Sequence, residues 1–489
     1  MLIVAGLLLS VVEIAAAQAS PLHINWNKTI RVSRSTPTLQ VVVNPMLREG
    51  SPIYEESFAA LRDLEAEYVR YGAWYPYPRL SVAELEPPGK DSTYWDFRLL
   101  DEVLFDFLEA TSGHISILNF CTIPQWMFKT AKPVTYPDDP DEIDFTYKGG
   151  NELRDTSLTE LGDYYARFFS WYTKGGFTDE LGRYHASGHE ISIPYWEVLN
   201  EPELEHSTTA EQYTRRYDAI VNSIRKVSPK TKFMGMAAVT YWNPHFYEYF
   251  LNPENHEPGT PLDMISYHFY AGADSRLDFK DYQYAYFDKA DAFLTSVRYI
   301  ENIRMRLNPE VKTAINEIGT FVSEEMRKEP LPSEYWNLSA AVYAYLYVEL
   351  SKLGIEIIGQ SQLVGYPGQF PDVSMMNWEN GKPNARYQAL KLLVDNFAPG
   401  DKLVETIAGF MAPSDYTAQA FITKTGKKVL FINRYNHTLK IKVPKELKGA
   451  GLSTVDGSSG ENPPLQSVIT SDMLELKPYA VAVATLEEK

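Results

Sequence analysis

Short apolar runs rich in β-branched residues alternate with amphipathic stretches over most of the chain. The runs have the length of buried strands, and the stretches between them repeat apolar side chains at helical spacing. Residues 55–67, for example, place Phe58, Leu61 and Leu64 on one helical face. The pattern predicts strands and helices in alternation, which is typical of a parallel sheet with crossover helices.

Eight such strand-and-helix units follow one another. Strands are predicted at residues 39–43, 66–71, 115–120, 195–199, 233–239, 264–268, 313–318 and 355–358. The longer helices are predicted at residues 55–67, 97–110, 158–172, 210–226, 284–307, 338–353 and 385–396. Because eight parallel strands can close on themselves, we expect an α/β fold with a (β/α)8 TIM barrel over residues 36–398.

The pattern changes beyond residues 397–400, where short alternating runs separated by turn residues replace the helices. Such runs are typical of antiparallel strands, so residues 399–489 are predicted to form a C-terminal β-sandwich. The segment 20–35 is also strand-like and precedes the first barrel strand. We expect it to add a strand to that sandwich.

Composition and charge narrow the possible partners. The formal net charge of −18 argues against a nucleic acid or an anionic membrane as partner. No run of 18 apolar residues follows the N-terminal region, so no membrane span is expected. Aromatic residues make up 13% of the chain. They are core material first, but the excess also fits a cleft that stacks on sugar rings.

The N-terminal residues and the glycosylation sequons predict a secreted protein. Residues 1–19 resemble a signal peptide, with an apolar run followed by small residues. N-glycosylation sequons begin at Asn27, Asn337 and Asn436, so we expect a glycoprotein. Cys121 is the only cysteine and ends an apolar run, which favours a buried thiol without a disulfide.

Two glutamates end two of the predicted strands. The stretch Tyr195-Trp196-Glu197-Val198-Leu199-Asn200-Glu201-Pro202 stops at a proline, which cannot continue a central strand. Three strands later, another apolar run ends at Glu317. In one parallel barrel both carboxylates lie at the same rim and face each other. Glycoside hydrolysis requires such a pair, and Asn200 beside it could bind a sugar hydroxyl.

These residues resemble clan A of the retaining glycoside hydrolases, and family 39 most closely. Trp196 to Pro202 resembles the acid/base motif of that family. Other resemblances are Trp95-Asp96-Phe97-Arg98 before a helix, Pro124-Gln125-Trp126 after the third strand, and Gly381-Lys382-Pro383-Asn384 before the last helix. A C-terminal β-sandwich also belongs to the family.

The resemblance implies roles for individual residues. Glu201 would be the acid/base and Glu317 the nucleophile. Arg70 would hold the nucleophile, and His268 and Tyr270 would line the cleft beside it.

Two tryptophans, Trp126 and Trp378, are candidate platforms for a sugar ring. No metal site and no organic cofactor are expected, because the sequence has no motif for either.

The resulting hypothesis is a secreted retaining glycosidase that hydrolyses O-glycosidic bonds of plant or microbial glycans. Long inserts follow the third and eighth strands, at residues 129–154 and 360–384, and could close one end of the cleft. This favours exo-action on a terminal sugar. Two alternatives stay open: an endo-acting polysaccharide hydrolase with the same catalytic pair, and a non-catalytic carbohydrate-binding protein.

Overall fold

The computed structural model of the chain describes residues 22–274, 276–328, 330–408 and 415–486. The predicted signal peptide lies outside these residues. The first eleven strands are β1 His23–Val32, β2 Thr36–Val42, β3 Tyr68–Ala73, β4 Ile115–Phe120, β5 Gly176–Thr178, β6 Tyr184–Ala186, β7 Tyr195–Glu197, β8 Lys232–Ala238, β9 Met264–Gly272, β10 Lys312–Phe321 and β11 Ile357–Gln360.

Eight of these strands close into a barrel. Its order is β2, β3, β4, β7, β8, β9, β10 and β11, and every neighbouring pair is parallel. The prediction of a (β/α)8 barrel is therefore confirmed. The short strands β5 and β6 form a separate hairpin between the fourth helix and β7.

Helices surround the barrel and cover its outer face. They are α1 Tyr54–Leu64, α2 Pro78–Ser81, α3 Arg98–Ala110, α4 Thr159–Thr173, α5 Pro202–Glu205, α6 Ala210–Val227, α7 Pro244–Phe250, α8 Tyr282–Leu307, α9 Ser333–Leu353 and α10 Ala385–Val394. Local sequence sets some of their ends. Thr209 and Gln212 form a capping box that starts α6, and Gly354 ends α9 in a left-handed conformation. Within the described residues, no helix is both long and apolar enough to cross a membrane.

The rest of the chain forms antiparallel sheets, as predicted. The additional strands are β12 Lys402–Ile407, β13 Tyr416–Thr423, β14 Gly426–Asn433, β15 Leu439–Lys442, β16 Gly451–Val455, β17 Leu465–Val468, β18 Met473–Leu476 and β19 Val481–Leu486. One sheet has the order β1-β12-β13-β14-β19-β16-β17, so the N-terminal strand lies at its edge beside β12. A second sheet of β15 and β18 packs on it through a shared apolar core.

The barrel and the sandwich share buried surface. Phe397, just after α10, packs on Phe421 of β13 with their ring centroids 4.4 Å apart. Leu403, Leu430 and Val481 belong to the same apolar cluster as the barrel helices. The two parts therefore stabilise each other by burying apolar surface between them.

One predicted strand is shorter than its apolar run. β7 ends at Glu197, two residues before the predicted end, because Leu199 adopts a φ of 63°. This left-handed conformation is incompatible with a strand. The hydrophobicity of Val198 and Leu199 reflects burial in a turn rather than in the sheet.

A buried carboxyl group lies where the chain enters α3. Glu84 is fully buried, and one of its oxygens accepts the Tyr94 N–H at 3.1 Å. Its other oxygen has no hydrogen-bond partner among the described residues. Burial raises the pKa of Glu84 to about 8, because the charged form loses its hydration there.

We expect the stability of the protein to depend on pH through Glu84. The folded protein holds the Glu84 proton up to about pH 8, whereas the unfolded chain releases it near pH 4.3, the usual value for glutamate. Stability from this group is therefore present below about pH 4 and lost as the pH rises to about 8. The Glu84→Gln variant should keep a higher Tm than the wild type at pH 8 and lose that advantage at pH 4.5. Equal Tm differences at both pH values, measured by calorimetry, would contradict the assignment.

Candidate active site

The first predicted catalytic residue lies in a turn at the rim of the barrel. Glu201 follows β7 and precedes Pro202, the first residue of α5. Its φ of 38° is left-handed, like that of Leu199. Such angles cost energy for residues with a Cβ atom, so the surroundings must hold them. The Glu201 N–H does so in part, because it donates to the Ala237 carbonyl at 2.9 Å.

The second predicted catalytic residue lies within β10. The register between β9 and β10 shifts between Ile315 and Glu317, and Glu317 then pairs with His268. The irregularity turns the Glu317 side chain toward the barrel axis, as β-bulges often do near functional sites. Glu317 is 7% exposed.

The two carboxylates lie close together at the barrel mouth. One oxygen of Glu201, one oxygen of Glu317 and one ring nitrogen of His268 all lie within 4.8 Å of one another. Retaining glycosidases hold their carboxyl groups about 5–5.5 Å apart, whereas inverting enzymes need about 6.5–9.5 Å. The nearest oxygens of Glu201 and Glu317 lie within 4.8 Å of each other, below the range for inverting enzymes.

Arg70 on β3 connects these groups below the mouth. Its Nε donates to Glu197 at 2.5 Å, and its Nη1 donates to Glu317 at 2.6 Å. Nη1 also donates to Gln40, and Nη2 donates to the Asn200 Oδ1 at 2.9 Å. Burial alone would lower the pKa of the guanidinium, but the two carboxylates raise it above its usual value. Arg70 is therefore a permanent positive charge beside Glu317.

Glu197 is a functional residue that the sequence analysis did not single out. Its two oxygens accept hydrogen bonds from Arg70, from Asn119 at 2.7 Å, from Asn316 at 2.7 Å and from Ser266 at 2.5 Å. Burial would raise the pKa of Glu197, but Arg70 and these donors lower it below its usual value. The signal that could have found it is a charged residue inside an apolar strand.

Asn200 is fixed at both ends of its amide. The oxygen accepts from Arg70, and the Nδ2 donates to the Glu205 Oε1 at 3.0 Å. Glu205 also accepts the Trp74 indole N–H at 2.8 Å. Burial, followed by the charge of Glu201, raises the pKa of Glu205 well above its usual value. The sequence analysis did not identify Glu205.

His268 lies between the two catalytic candidates. Its Nδ1 is 2.8 Å from Glu201, and its Nε2 is 3.4 Å from Glu317. The ring is fully buried. Burial lowers the pKa of His268, but the charges of Glu317 and Glu201 outweigh it and raise the pKa above the usual value.

Tyr270 holds the other side of Glu317. Its hydroxyl donates to the Glu317 Oε2 at 2.5 Å and lies 2.8 Å from the Ser361 hydroxyl. The ring passes over Gly319, where a Cβ atom would lie 2.8 Å from ring carbons. Glycine at that position therefore allows the ring to reach Glu317. Both oxygens of Glu317 are hydrogen-bonded, which fixes the carboxylate for attack on a substrate.

A cavity of about 310 Å³ opens above these residues. Its volume is at the lower end of the range for small-molecule sites, about 300–1,000 Å³. Three aromatic rings line one side of the cavity and contact one another. The ring centroid of Trp74 lies 6.0 Å from those of Phe145 and Phe370, and the centroids of Phe145 and Phe370 are 6.3 Å apart. Phe145 comes from the insert after β4 and Phe370 from the insert after β11. The two long inserts thus close one side of the cavity together.

The two tryptophans predicted as sugar platforms lie elsewhere. Trp126 is 4% exposed, donates its indole N–H to the Glu84 carbonyl at 2.8 Å and packs under the Arg154 guanidinium. It is packing material and does not reach the cavity. Trp378 lines a different, larger cavity. The tryptophan that lines the catalytic cavity is Trp74.

The cluster Glu201, His268 and Glu317 also has the spacing of a possible cation site among the described residues. The Arg70 guanidinium already neutralises Glu317 at 2.6 Å. A positive charge at that distance disfavours a metal ion at the same carboxylate. The donor set therefore suits proton transfer and nucleophilic attack better than metal binding.

The site resembles that of a glycoside hydrolase, and a comparison with family models supports this enzyme class. The sequence profile described as "Glycosyl hydrolases family 39" matches residues 180–309, which include β7, β8, β9 and Glu201. This confirms the resemblance to family 39 and the enzyme class. No protein with a curated description matches the sequence significantly.

Solved structures of glycosidases share the fold. The family 51 arabinofuranosidase from Xanthomonas axonopodis pv. citri superposes with a TM-score of 0.63 at 13% identity, over 96% of this chain and 99% of that one. The α-L-arabinofuranosidase from Thermotoga maritima, solved with arabinose, gives 0.62 at 16% identity, over 96% and 100%. A family 30 endoxylanase from Clostridium papyrosolvens C71 gives 0.60 at 12% identity, with the same coverage.

We expect the Tyr270→Phe variant to lose activity without unfolding. The change removes one hydrogen bond to the charged Glu317, a type of bond worth about 1.5–3 kcal/mol. The kcat on an aryl glycoside should therefore fall about 10- to 100-fold. Tyr299→Phe, on the exposed face of α8, is the matched control and should behave like the wild type. A kcat within twofold of the wild type for Tyr270→Phe would contradict the role of its hydroxyl.

Proposed function

We propose that this glycoside hydrolase is a secreted, retaining and exo-acting glycosidase. The observation that carries the proposal is the pair Glu201 and Glu317, whose carboxylate oxygens lie within 4.8 Å of each other at the rim of the barrel. Arg70 and Tyr270 both donate hydrogen bonds to Glu317 and keep it oriented. Within the described residues the carboxylate of Glu201 makes one hydrogen bond, with a ring nitrogen of His268, and it faces the cavity, as a proton donor requires.

The reaction is a double displacement. In the first step an oxygen of Glu317 attacks the anomeric carbon, and the bond from that carbon to the leaving oxygen breaks. Glu201 gives its proton to the leaving oxygen. In the second step Glu201 takes a proton from water, whose oxygen bonds to the anomeric carbon and releases Glu317.

Neighbouring groups support these steps. Arg70 stabilises the Glu317 carboxylate before attack and after release. His268 is hydrogen-bonded to Glu201 at 2.8 Å and so orients its carboxyl group in both steps. Asn200, held by Arg70 and Glu205, keeps one amide hydrogen for a sugar hydroxyl.

The shape of the cavity supports exo-action. About 310 Å³ suits one sugar ring better than a chain that passes through. The wall of Trp74, Phe145 and Phe370 limits extension of the substrate on one side. Arabinosides and xylosides are the first sugars to test, because the structural neighbours include arabinofuranosidases and an endoxylanase. Release of monosaccharide only would support exo-action, and release of longer fragments would favour the endo-acting alternative.

Secretion rests on the predicted signal peptide and on accessible sequons. Asn27 and Asn436 are exposed and could carry glycans. Asn337 lies in α9 and is 4% exposed, so its sequon is not accessible in the folded protein. Mass spectrometry of the protein secreted by a eukaryotic host should find glycan at Asn27 and Asn436 but not at Asn337.

We expect azide to distinguish the two glutamates. The Glu317→Ala variant should lose about 10⁴-fold or more of its kcat, since nucleophile removal abolishes the first step. The Glu201→Ala variant should lose about 10²–10⁴-fold. Added azide should rescue Glu201→Ala to give a glycosyl azide of retained configuration, and rescue Glu317→Ala to give the inverted one. NMR of the products reads the anomeric configuration.

The azide experiment has a matched control, and two results would contradict the proposed mechanism. Glu109→Ala, an exposed carboxylate on α3 that lines neither this cavity nor another large one, controls for loss of a surface charge. Inverted sugar product from the wild type would refute the retaining mechanism. Near-normal activity of either glutamate variant would refute its catalytic role.

A further inference from the structure

A second cavity lies beside the catalytic one. Its volume is about 920 Å³, roughly three times that of the catalytic cavity. Three parts of the chain build it: the segment between β10 and the first turns of α9, the insert after β11, and the turn between β16 and β17. The barrel and the sandwich thus form it together.

The two cavities share a wall. Phe370 lines the catalytic cavity, and the next residue, Pro371, lines the second one. Arg327 lines the second cavity, while its guanidinium packs over the rings of Phe321 and Phe370, which face the catalytic side. A molecule in the second cavity would therefore lie beside the catalytic cavity, with Phe321 and Phe370 in the wall between them.

The cavity is built from a fixed frame. Glu461, on the turn of the sandwich, accepts hydrogen bonds from Asn377 at 2.6 Å and from Asn380 at 3.2 Å, both on the insert after β11. Arg327 is held by Asp372 at 2.8 Å. These contacts hold the sandwich turn against the insert, so the cavity is already formed in the unliganded protein.

One buried polar group in its lining has no partner. Asn337 on α9 is 4% exposed, and its Nδ2 makes no hydrogen bond within the described part of the chain. A buried amide nitrogen without an acceptor costs about 1–3 kcal/mol. An unpartnered buried polar group in a native protein calls for an explanation. A ligand in the cavity that carries an oxygen atom would supply the missing acceptor for the Asn337 amide.

Two tryptophans in the lining provide flat surfaces that a sugar ring can contact. Trp336 and Trp378 are both half-buried in its lining, and their indole N–H groups have no acceptor among the described residues. The flat faces of the rings suit the C–H faces of sugar rings, and the N–H groups suit hydroxyl oxygens. The chemistry of the lining is that of a carbohydrate site.

The charges in the lining favour a neutral glycan. Its carboxylates are Glu324, Glu379 and Glu461, and its cations are Arg327 and Lys328. Because Asp372 already neutralises Arg327, the lining carries an excess of negative charge. An acidic polysaccharide would be repelled, whereas the carboxylates can accept hydrogen bonds from neutral sugar hydroxyls.

We propose that this cavity is a second carbohydrate-binding site, for a neutral oligosaccharide, with Trp378 as its main platform. It goes beyond the proposed hydrolase function, because its ligand need not be cleaved. Binding there would hold a polysaccharide beside the catalytic cavity and raise the local concentration of chain ends.

Calorimetric titration of the full chain tests the proposal. The Glu317→Gln variant is used so that ligands are not consumed, with xylotetraose, arabinotetraose and cellotetraose as neutral probes and tetragalacturonate as the acidic one. We expect at least one neutral probe to bind, and Trp378→Ala to weaken its binding about 10-fold or more. Trp378→Phe should retain most of the affinity, and Tyr299→Ala, an exposed ring on α8, should retain all of it.

A second measurement guards against misfolding of the alanine variant. The exposed Glu379 can be changed to alanine without disturbing the core, and this should weaken binding of the same probe about threefold. Binding of that probe should also change the tryptophan fluorescence of the parent protein, and Trp378→Phe should reduce the change. No binding of any neutral probe, affinity unaffected by Trp378→Ala, or preferred binding of tetragalacturonate would each overturn the proposal.

The outcome is separable from that of the proposed hydrolase function. If the wild type hydrolyses aryl glycosides but substitution of Trp378 does not affect oligosaccharide binding, only the proposal of a second site is refuted. If oligosaccharide binding depends on Trp378 but the protein hydrolyses none of the glycosides, the proposed reaction is refuted and the second site is supported.

Discussion

The buried guanidinium of Arg70 is the constraint on which the rest of the site depends. A charge removed from water is costly unless charged and polar partners surround it. Arg70 has Glu197 on one side and Glu317 on the other, with Gln40 and Asn200 completing its hydrogen bonds. These partners come from three other barrel strands or their ends. The barrel must close correctly to satisfy the guanidinium, and once it does, Glu317 stands at the mouth with a defined charge and orientation.

Irregular backbone in and just after the barrel strands sets the final positions of the two carboxylates. The left-handed residues Leu199 and Glu201 turn the chain sharply after β7, and the shift in register before Glu317 re-aims β10. Regular strands would point alternate side chains into the barrel at fixed spacing. The departures bring the two carboxylates into reach of one sugar ring, and strain of this kind concentrates at functional sites. His268 and Tyr270, on the regular strand β9, then contact the pair from below.

The inserts and the sandwich determine what reaches the site. Phe145 and Phe370 come from loops more than two hundred residues apart, yet they meet at Trp74 and close one side of the catalytic cavity. Behind Phe370, the same insert and a turn of the sandwich form the larger cavity lined by Trp378. The sandwich therefore does more than cover apolar surface of the barrel helices, since it supplies one wall of a cavity beside the catalytic centre.

Much of this protein was determined by local sequence. The alternation of apolar runs and amphipathic stretches predicted all eight barrel strands, because strand and helix periods differ. Glu201 and Glu317 could be identified since each follows a buried apolar run, although Glu317 lies within β10 rather than at its end. Tertiary structure alone decided which other groups join them. Glu197 becomes a partner of Arg70, and Glu205 a partner of Trp74, only when distant segments meet. The sequence also cannot show whether Trp126 faces a cavity or the core. The environment of a side chain depends on contacts between residues far apart in the chain. The spacing of apolar residues along the sequence does not reveal those contacts.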